Sequence, residues 1–304
     1  MSKHKIIVIG DIMLDEYLRL RPKGGSLERG FSNNPVPQYD IVGILKRFGG
    51  AYNVAYLLHE RLQNNEVQMY GAFPSGLDDL VNESFGDCDP GNYMFRSPAG
   101  KFPVKRRYID SESNYAHARH DYFKPMGKCE DKDVLEWVRN IPFHEADLVV
   151  ISDYMKGLLS KNVVSHIIAN SKIVVVDTKN PDLDIFIGAN YIKLNESEHL
   201  NIIKTYGDDA DEKFAPHNII LTRADKGTLF LSANLQKDDT PLYQAEVPIR
   251  HIDTESIVDT VGSGDAFVAG FAWGLLEHNE DVMKAIEEGH WLASVSLGKL
   301  GAQW

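Results

Sequence analysis

The chain has 304 residues, 43% hydrophobic and 25% charged, the balance of a soluble globular protein. Its net charge of −12 argues against a nucleic-acid partner. No apolar run approaches the roughly 20 residues of a membrane-spanning helix, so a membrane partner is not expected either.

The first residues, Met1–Lys5, lead straight into Ile6-Ile7-Val8-Ile9-Gly10. That run is too short for a signal-peptide core and has no small-residue cleavage site, so it reads as a buried strand of a cytoplasmic protein. Similar β-branched runs follow at Leu148–Ile151, Ile173–Val176, Tyr191–Leu194 and Ile219–Leu221. Helical patterns lie between several of them, at Gly50–Leu62, Asp131–Arg139 and Asn162–Asn170. Near-continuous apolar strands alternating with helices predict an α/β fold: a mostly parallel, doubly wound sheet with helices on both faces. Two stretches break the rhythm. Ile12–Tyr39 contains the alternating Tyr17-Leu18-Arg19-Leu20-Arg21, and Met94–Phe123 is rich in aromatic and basic residues. Either both are surface loops or both are strands of a small sheet. Loops of that length are uncommon in compact domains, so a small β lid is expected from about 12–40 and 94–123, on a single domain spanning 1–304. Cys88 and Cys129 lack metal-ligand spacing and read as free thiols, with a disulfide as the minor alternative.

The predicted strands run into polar residues at their carboxyl ends: Asp11, Asp153, Asp177 with Lys179, Asn195 with Glu198, Thr222 with Asp225, and Asp259 after Ile257-Val258. In open α/β sheets ligands bind there. Any single Asp could equally be a helix cap. Asp259-Thr260-Val261-Gly262-Ser263-Gly264-Asp265 is the strongest motif. Gly262 and Gly264 permit a tight turn, and the apolar run Ala266–Leu276 reads as a buried helix. Helix amides and dipole there make an anion site, with Asp265 beside it. A carboxylate next to an anion hole suits phosphoryl transfer, with Asp265 taking the proton from an attacking hydroxyl. A glycine-rich helix start with an Asp in its first turn is the blander alternative. Neither G-x-x-x-x-G-K-[ST] nor G-x-G-x-x-G occurs where it would be needed, which argues against P-loop and Rossmann enzymes. His117 and His120 flank Arg119, where a surface or substrate contact outweighs a metal role. Strand alternation would put Lys105 and Arg107 on one lid face, joined by Arg119 from the returning strand, with Arg106 solvated on the other. In an acidic protein these cations are candidates to hold a phosphate; the blander alternative is that all four are solvated lid charges.

Jointly these motifs resemble the ribokinase-like carbohydrate kinases over nearly the whole chain. Gly49-Gly50-Ala51-Tyr52-Asn53 looks like that family's first signature, which implies that Gly49, Gly50 and Asn53 line the sugar pocket. Asp259–Phe267 looks like the second, implying an anion hole at Gly262, Ser263 and Gly264 and a catalytic base at Asp265. Asn195-Glu196-Ser197-Glu198 resembles the N-x-x-E element that organises magnesium and phosphates, with Glu198 reaching the metal through water. Thr222, Asp225 and Gly227 stand where the family contacts ATP, and Asp11 where it binds sugar hydroxyls. The resemblance implies ATP and Mg2+ as cofactors, and K+ near the carbonyls of Asp259 and Val261.

Within the family the sequence most resembles the bacterial heptose-7-phosphate kinases, which phosphorylate the anomeric hydroxyl on the way to ADP-heptose for lipopolysaccharide. Gly10–Asp15, Pro35-Val36-Pro37, Ser152–Gly157, Asp177-Thr178-Lys179, Gly298–Gly301 and the segment from Lys105 to Asp121 carry this likeness. It adds Asp153 as a substrate contact and Lys179 as a nucleotide contact. Thr178 departs from that group's usual proline. The nucleotidyltransferase domain fused in many relatives is expected to be missing. Partners implied are a sugar phosphate, ATP and a second copy joined through the lid. Alternatives are a ribokinase-like kinase for another sugar or a nucleoside, and a catalytically silent sugar-binding protein.

Overall fold

Strand β1 (Lys5–Gly10) is apolar on both faces because both faces are covered. Ile6 and Val8 belong to one core layer, and Ile7 and Ile9 to the other. In this computed structural model the described residues are 4–29, 35–61, 66–74, 94–97, 103–113, 115–122, 131–232, 243–249 and 257–299. Cys88, Cys129 and residues 300–301 lie outside them.

After β1 the chain makes β2 (Ile12–Arg29), β3 (Pro35–Gly50), α1 (Ala51–Arg61), β4 (Glu66–Pro74) and β5 (Met94–Ser97). β6 (Val104–Asp110), β7 (Ala116–Tyr122), α2 (Asp131–Val138), β8 (Leu148–Asp153) and α3 (Lys161–Ala169) follow. Next come β9 (Val174–Thr178), β10 (Tyr191–Asn195), α4 (Glu196–Tyr206), α5 (Ala210–Phe214) and β11 (Asn218–Thr222). The chain closes with β12 (Thr228–Ser232), β13 (Tyr243–Val247), α6 (Ser263–Glu277) and α7 (Val282–Leu297). The large sheet has the order β13-β12-β11-β10-β9-β8-β1-β4-β5. Its pairings are parallel except β11–β12 and β12–β13. Helices α1, α6 and α7 cover one face, and α2, α3 and α4 the other. The expected architecture is therefore present.

The small sheet has the order β3-β2-β6-β7. Its membership differs from expectation in two respects. β3 continues to Gly50, well past Tyr39, because it pairs with β2 back to Ile12↔Gly50. Met94–Ser97 pairs with β4 at the edge of the large sheet instead. The run Ile257-Val258 is not a strand. Val258 N–H donates to the Leu297 carbonyl (2.8 Å), so the segment is tied to the end of α7.

Chain passage between the two sheets positions the site. Only Asp11 separates β1 from β2, and α1 begins immediately after β3. The two crossings touch, for Ala51 N–H donates to the Asp11 carbonyl at 3.0 Å. Gly50 sits at φ +70° there, and a Cβ on it would lie 2.4 Å from that carbonyl, so only glycine fits.

Candidate active site

Asp11 is 1% exposed at this crossing. Its Oδ2 accepts the amides of Tyr154 and Lys156, both at 2.9 Å, while Oδ1 is buried without a protein partner. Burial, with the nearby charge of Asp153, pushes its carboxyl up to about 7, against the two amide bonds. A buried carboxylate oxygen left open is what an incoming sugar hydroxyl would satisfy.

Asp153 does not face that opening with a free oxygen. Its Oδ1 accepts Met155 N–H (2.9 Å) and its Oδ2 accepts the Thr178 hydroxyl (2.9 Å). Both bonds shape the turn, with Met155 at φ +56°, that aims two amides at Asp11. Thr178, the departure noted above, makes that bond where proline could not.

Helix α6 begins at Ser263, three residues earlier than its apolar run suggests, so Gly264 and Asp265 lie in its first turn. Gly262 is the N-cap, at φ +85° and with no side chain to cap the helix. Ser263 N–H donates to the Thr260 carbonyl (3.3 Å), while the Gly264 and Asp265 amides remain available to an anion. Asp265 is buried; its Oδ2 accepts Asn53 Nδ2 (2.9 Å) and its Oδ1 accepts the Tyr154 hydroxyl (2.6 Å). Burial raises its pKa and Asp177 adds to this, while Tyr154, Asn53 and Lys105 oppose the rise. Asn53 keeps its own Oδ1 buried and unpartnered.

Lys193, which the sequence reading missed, is 4% exposed and forms an ion pair with Asp177 at 3.0 Å. Burial works against its charge, but Asp177, Glu198 and Asp265 outweigh it and push its pKa up. A Cβ on Gly264 would lie 3.4 Å from its ammonium, so a fixed cation stands at the start of α6. A lysine buried in a central strand with an acidic partner was the available signal.

Cross-strand register on the small sheet sorts the basic residues. Arg107 lies opposite Arg119 and Lys105 opposite Asp121, and both face the Asp15–Tyr17 side of β2. Lys105 Nζ sits 5.2 Å from the Tyr154 ring centroid, and burial pushes its pKa down against Asp15 and Asp265. Arg107 pairs with Asp15 and stacks 5.2 Å over Tyr17. Arg119 is exposed and grips Asp121 through two bonds of 2.7 Å. Arg106 is on the other face, as alternation requires, where it remains solvent-accessible and is ion-paired with Glu16 (2.7 Å). Asp15 is a second residue missed by the sequence reading. A Cβ on Gly49 would lie 2.5 Å from its Oδ2, so Gly49 leaves room for this carboxylate.

On the other flank, Asn195 and Glu198 form a capping box: Asn195 Oδ1 accepts Glu198 N–H (2.9 Å) and Glu198 Oε2 accepts Asn195 N–H (2.8 Å). Glu198 Oε1 meets Lys179 Nζ at 3.0 Å. Thr222 donates to the Leu194 carbonyl (3.3 Å), and Asp225 lies in the turn that follows. Gly227, at φ +80°, would place a Cβ 2.4 Å from the Val247 carbonyl. Val261 N–H donates to Asp259 Oδ1 at 3.0 Å. Among the described residues no three His, Cys, Asp or Glu side chains converge to hold a metal ion. No helix among them is long and apolar enough to cross a membrane.

The fold matches Thermotoga maritima ribokinase with a TM-score of 0.71, at 18% identity over 99% of this chain and 95% of that one. Arabidopsis thaliana ribokinase, complexed with ribose and ATP, gives 0.65 at 14% identity over 99% and 94%. These likenesses define a ribokinase-like α/β fold. Residues 126–304 match the pfkB family carbohydrate kinases, and the chain belongs to that family. Bifunctional protein HldE of Shewanella putrefaciens is 30% identical over 313 residues, covering 99% of this chain and 61% of the relative. HldE of Granulibacter bethesdensis is 27% identical over 290 residues, covering 89% and 57%. The chain thus spans about three-fifths of the length of these curated relatives.

Proposed function

We propose that this carbohydrate kinase transfers the γ-phosphoryl group of ATP to the anomeric hydroxyl of a heptose 7-phosphate, a step toward ADP-heptose. The observation that carries the chemistry is Asp265, a buried carboxylate at the positive end of α6, close to the Lys193 ammonium and linked through Tyr154 to Asp11, whose second oxygen is open. Asp11 and Asn53 orient the sugar at the glycine crossing of Gly49 and Gly50. Asp265 accepts the proton of the attacking hydroxyl. Amides at Gly262, Ser263 and Gly264, together with Lys193, hold the charge on the moving phosphoryl group.

The nucleotide flank is built from Lys179, Asn195, Glu198, Thr222, Asp225 and Gly227. The donor set suits polyphosphate, since Lys179 and Lys193 both stand there. Both Glu198 oxygens are already engaged, so magnesium would meet Glu198 through water. When bound, that metal neutralises phosphate oxygens. Potassium would take the backbone carbonyls of Asp259 and Val261.

Lys105, Arg107 and Arg119, on one face of the small sheet, would receive the 7-phosphate, and that sheet would act as the lid. A homodimer through this sheet belongs to the same reading, supported by exposed Ile41, Val42 and Ile44. An Ile44→Glu variant sized by light scattering tests that contact: a dimer should become monomer. The cytoplasm, where ATP and sugar phosphates meet, is the compartment this chemistry needs.

A second reading, a kinase for a neutral sugar or nucleoside, is favoured by one observation: Arg107 and Arg119 are already paired with Asp15 and Asp121. The deciding experiment offers ATP with heptose 7-phosphate, fructose, ribose and adenosine, and reads the product by phosphorus NMR. Preference for the phosphorylated heptose supports the first reading. Preference for an unphosphorylated acceptor supports the second.

A further inference from the structure

Tyr154 joins the two acidic residues to which the proposed chemistry assigns sugar and proton. Its backbone amide donates to Asp11 Oδ2 at 2.9 Å, and its hydroxyl donates to Asp265 Oδ1 at 2.6 Å. Two ammoniums flank its ring, Lys105 Nζ at 5.2 Å and Lys179 Nζ at 4.8 Å from the centroid. Lys105 comes from the small sheet and Lys179 from the end of β9 in the large one. Resting on the reading of Asp265 as base, we propose that Tyr154 is a positioning residue for phosphoryl transfer. Its hydroxyl fixes the Asp265 carboxylate and its main chain fixes Asp11, so one residue sets the spacing between base and sugar site.

An aspartate turns readily about its last torsion, whose preference is broad and two-fold. Asp265 is prevented from turning because each oxygen has its own donor on a separate element: Asn53 from α1 and Tyr154 from the turn after β8. Each oxygen retains lone-pair capacity for a substrate hydroxyl. Misplacement of such a group by about 1 Å costs roughly 100-fold in rate. Both bonds also favour the ionised carboxylate, the form a base needs. The charged groups facing Asp265 are Asp177 on β9, Lys105 on β6 and Lys193 on β10. Burial and the Asp265 charge hold the Tyr154 hydroxyl far above its ordinary range, so it remains a donor throughout working pH.

The test is Tyr154→Phe, which keeps the ring between the two lysines and deletes only the hydroxyl. With ATP and heptose 7-phosphate, kcat/KM should fall about tenfold or more while the KM for ATP stays unchanged. The acidic limb of the pH–kcat/KM profile should move to higher pH, because the ionised carboxylate has lost a donor. Adding Tyr154→Phe to Asp265→Asn should cost nothing further in turnover. A substrate-free arm uses melting temperature. The Tyr154→Phe deficit should grow from acid to neutral pH in the wild-type background and become independent of pH in Asp265→Asn. A superimposable pH profile, fully additive losses, or a melting deficit indifferent to Asp265 would each overturn the proposal. Near-normal turnover of Asp265→Asn alone would overturn the base assignment instead, and the melting arm still reports the contact.

Discussion

Two buried carboxylates at the site carry opposite demands. As the proposed base, Asp265 would have to be ionised to accept a proton, and its donors Asn53 and Tyr154 work against the burial that disfavours charge. Asp265→Asn should lower turnover by about 100-fold or more with little change in ATP binding, as measured by steady-state kinetics alongside nucleotide titration. Asp11 pays for its openness in stability. Its folded pKa stands at about 7 against an ordinary 3.8, so the folded protein holds a proton that the unfolded chain has released. Stability from this group is therefore greatest below the lower value and declines as pH rises to the upper one. Asp11→Asn should melt above wild type near about pH 8, by on the order of 2 kcal/mol, with the gap closing toward about pH 4. The same variant should raise the KM for sugar much more than that for ATP. A pH-independent melting difference would show that the carboxyl does not titrate in this range.

At the scale of the strand, β6 distributes its three cations by alternation, and the structure adds what each one meets. Arg107 neutralises Asp15, which is 3% exposed, so Arg107→Ala removes more than a ligand for phosphate. It should cost about 1–3 kcal/mol of stability by leaving that carboxylate buried and unpaired. It should also reduce kcat/KM for a phosphorylated sugar by at least about 2 kcal/mol, while hardly affecting an unphosphorylated analogue. Combining it with Asp15→Asn separates the two roles: stability should recover in denaturant melts and phosphate discrimination should not. Equal losses on both substrates would confine Arg107 to supporting the sheet. Helix α4 teaches a related lesson. Its Asn195–Glu198 pair has the spacing of a nucleotide motif and of a capping box at once, because a helix start needs the same acceptors that a phosphate site uses.

Across the whole molecule, the site draws on both sheets, α1, the turn after β8 and the start of α6. In a chain of net charge −12, Lys105 and Lys179 flank the Tyr154 ring and Lys193 lies at the start of α6, so the proposed site gathers positive charge. Removing magnesium with excess chelator should abolish activity, read as loss of ADP release; full activity in chelator would contradict the role given to Glu198. Local periodicity was enough to predict the parallel sheet, since runs such as Ile6–Ile9 and Leu148–Ile151 are buried on both faces and say so by composition. Spacing was enough to place Asp265 beside two glycines, and alternation to put Lys105 and Arg107 together. Strand length and partnership were not local properties. β3 extends to Gly50 and Met94–Ser97 joins the large sheet because hydrogen-bonded neighbours, distant in sequence, decide where a strand ends. Lys193, Asp15 and Tyr154 were missed for the same reason. Each owes its role to a partner from 16 to 111 positions away: Asp177, Arg107 and Asp265. Residue type and spacing along the chain determined which chemistry this protein could hold, and only the tertiary contacts decided which side chains face each other across the site.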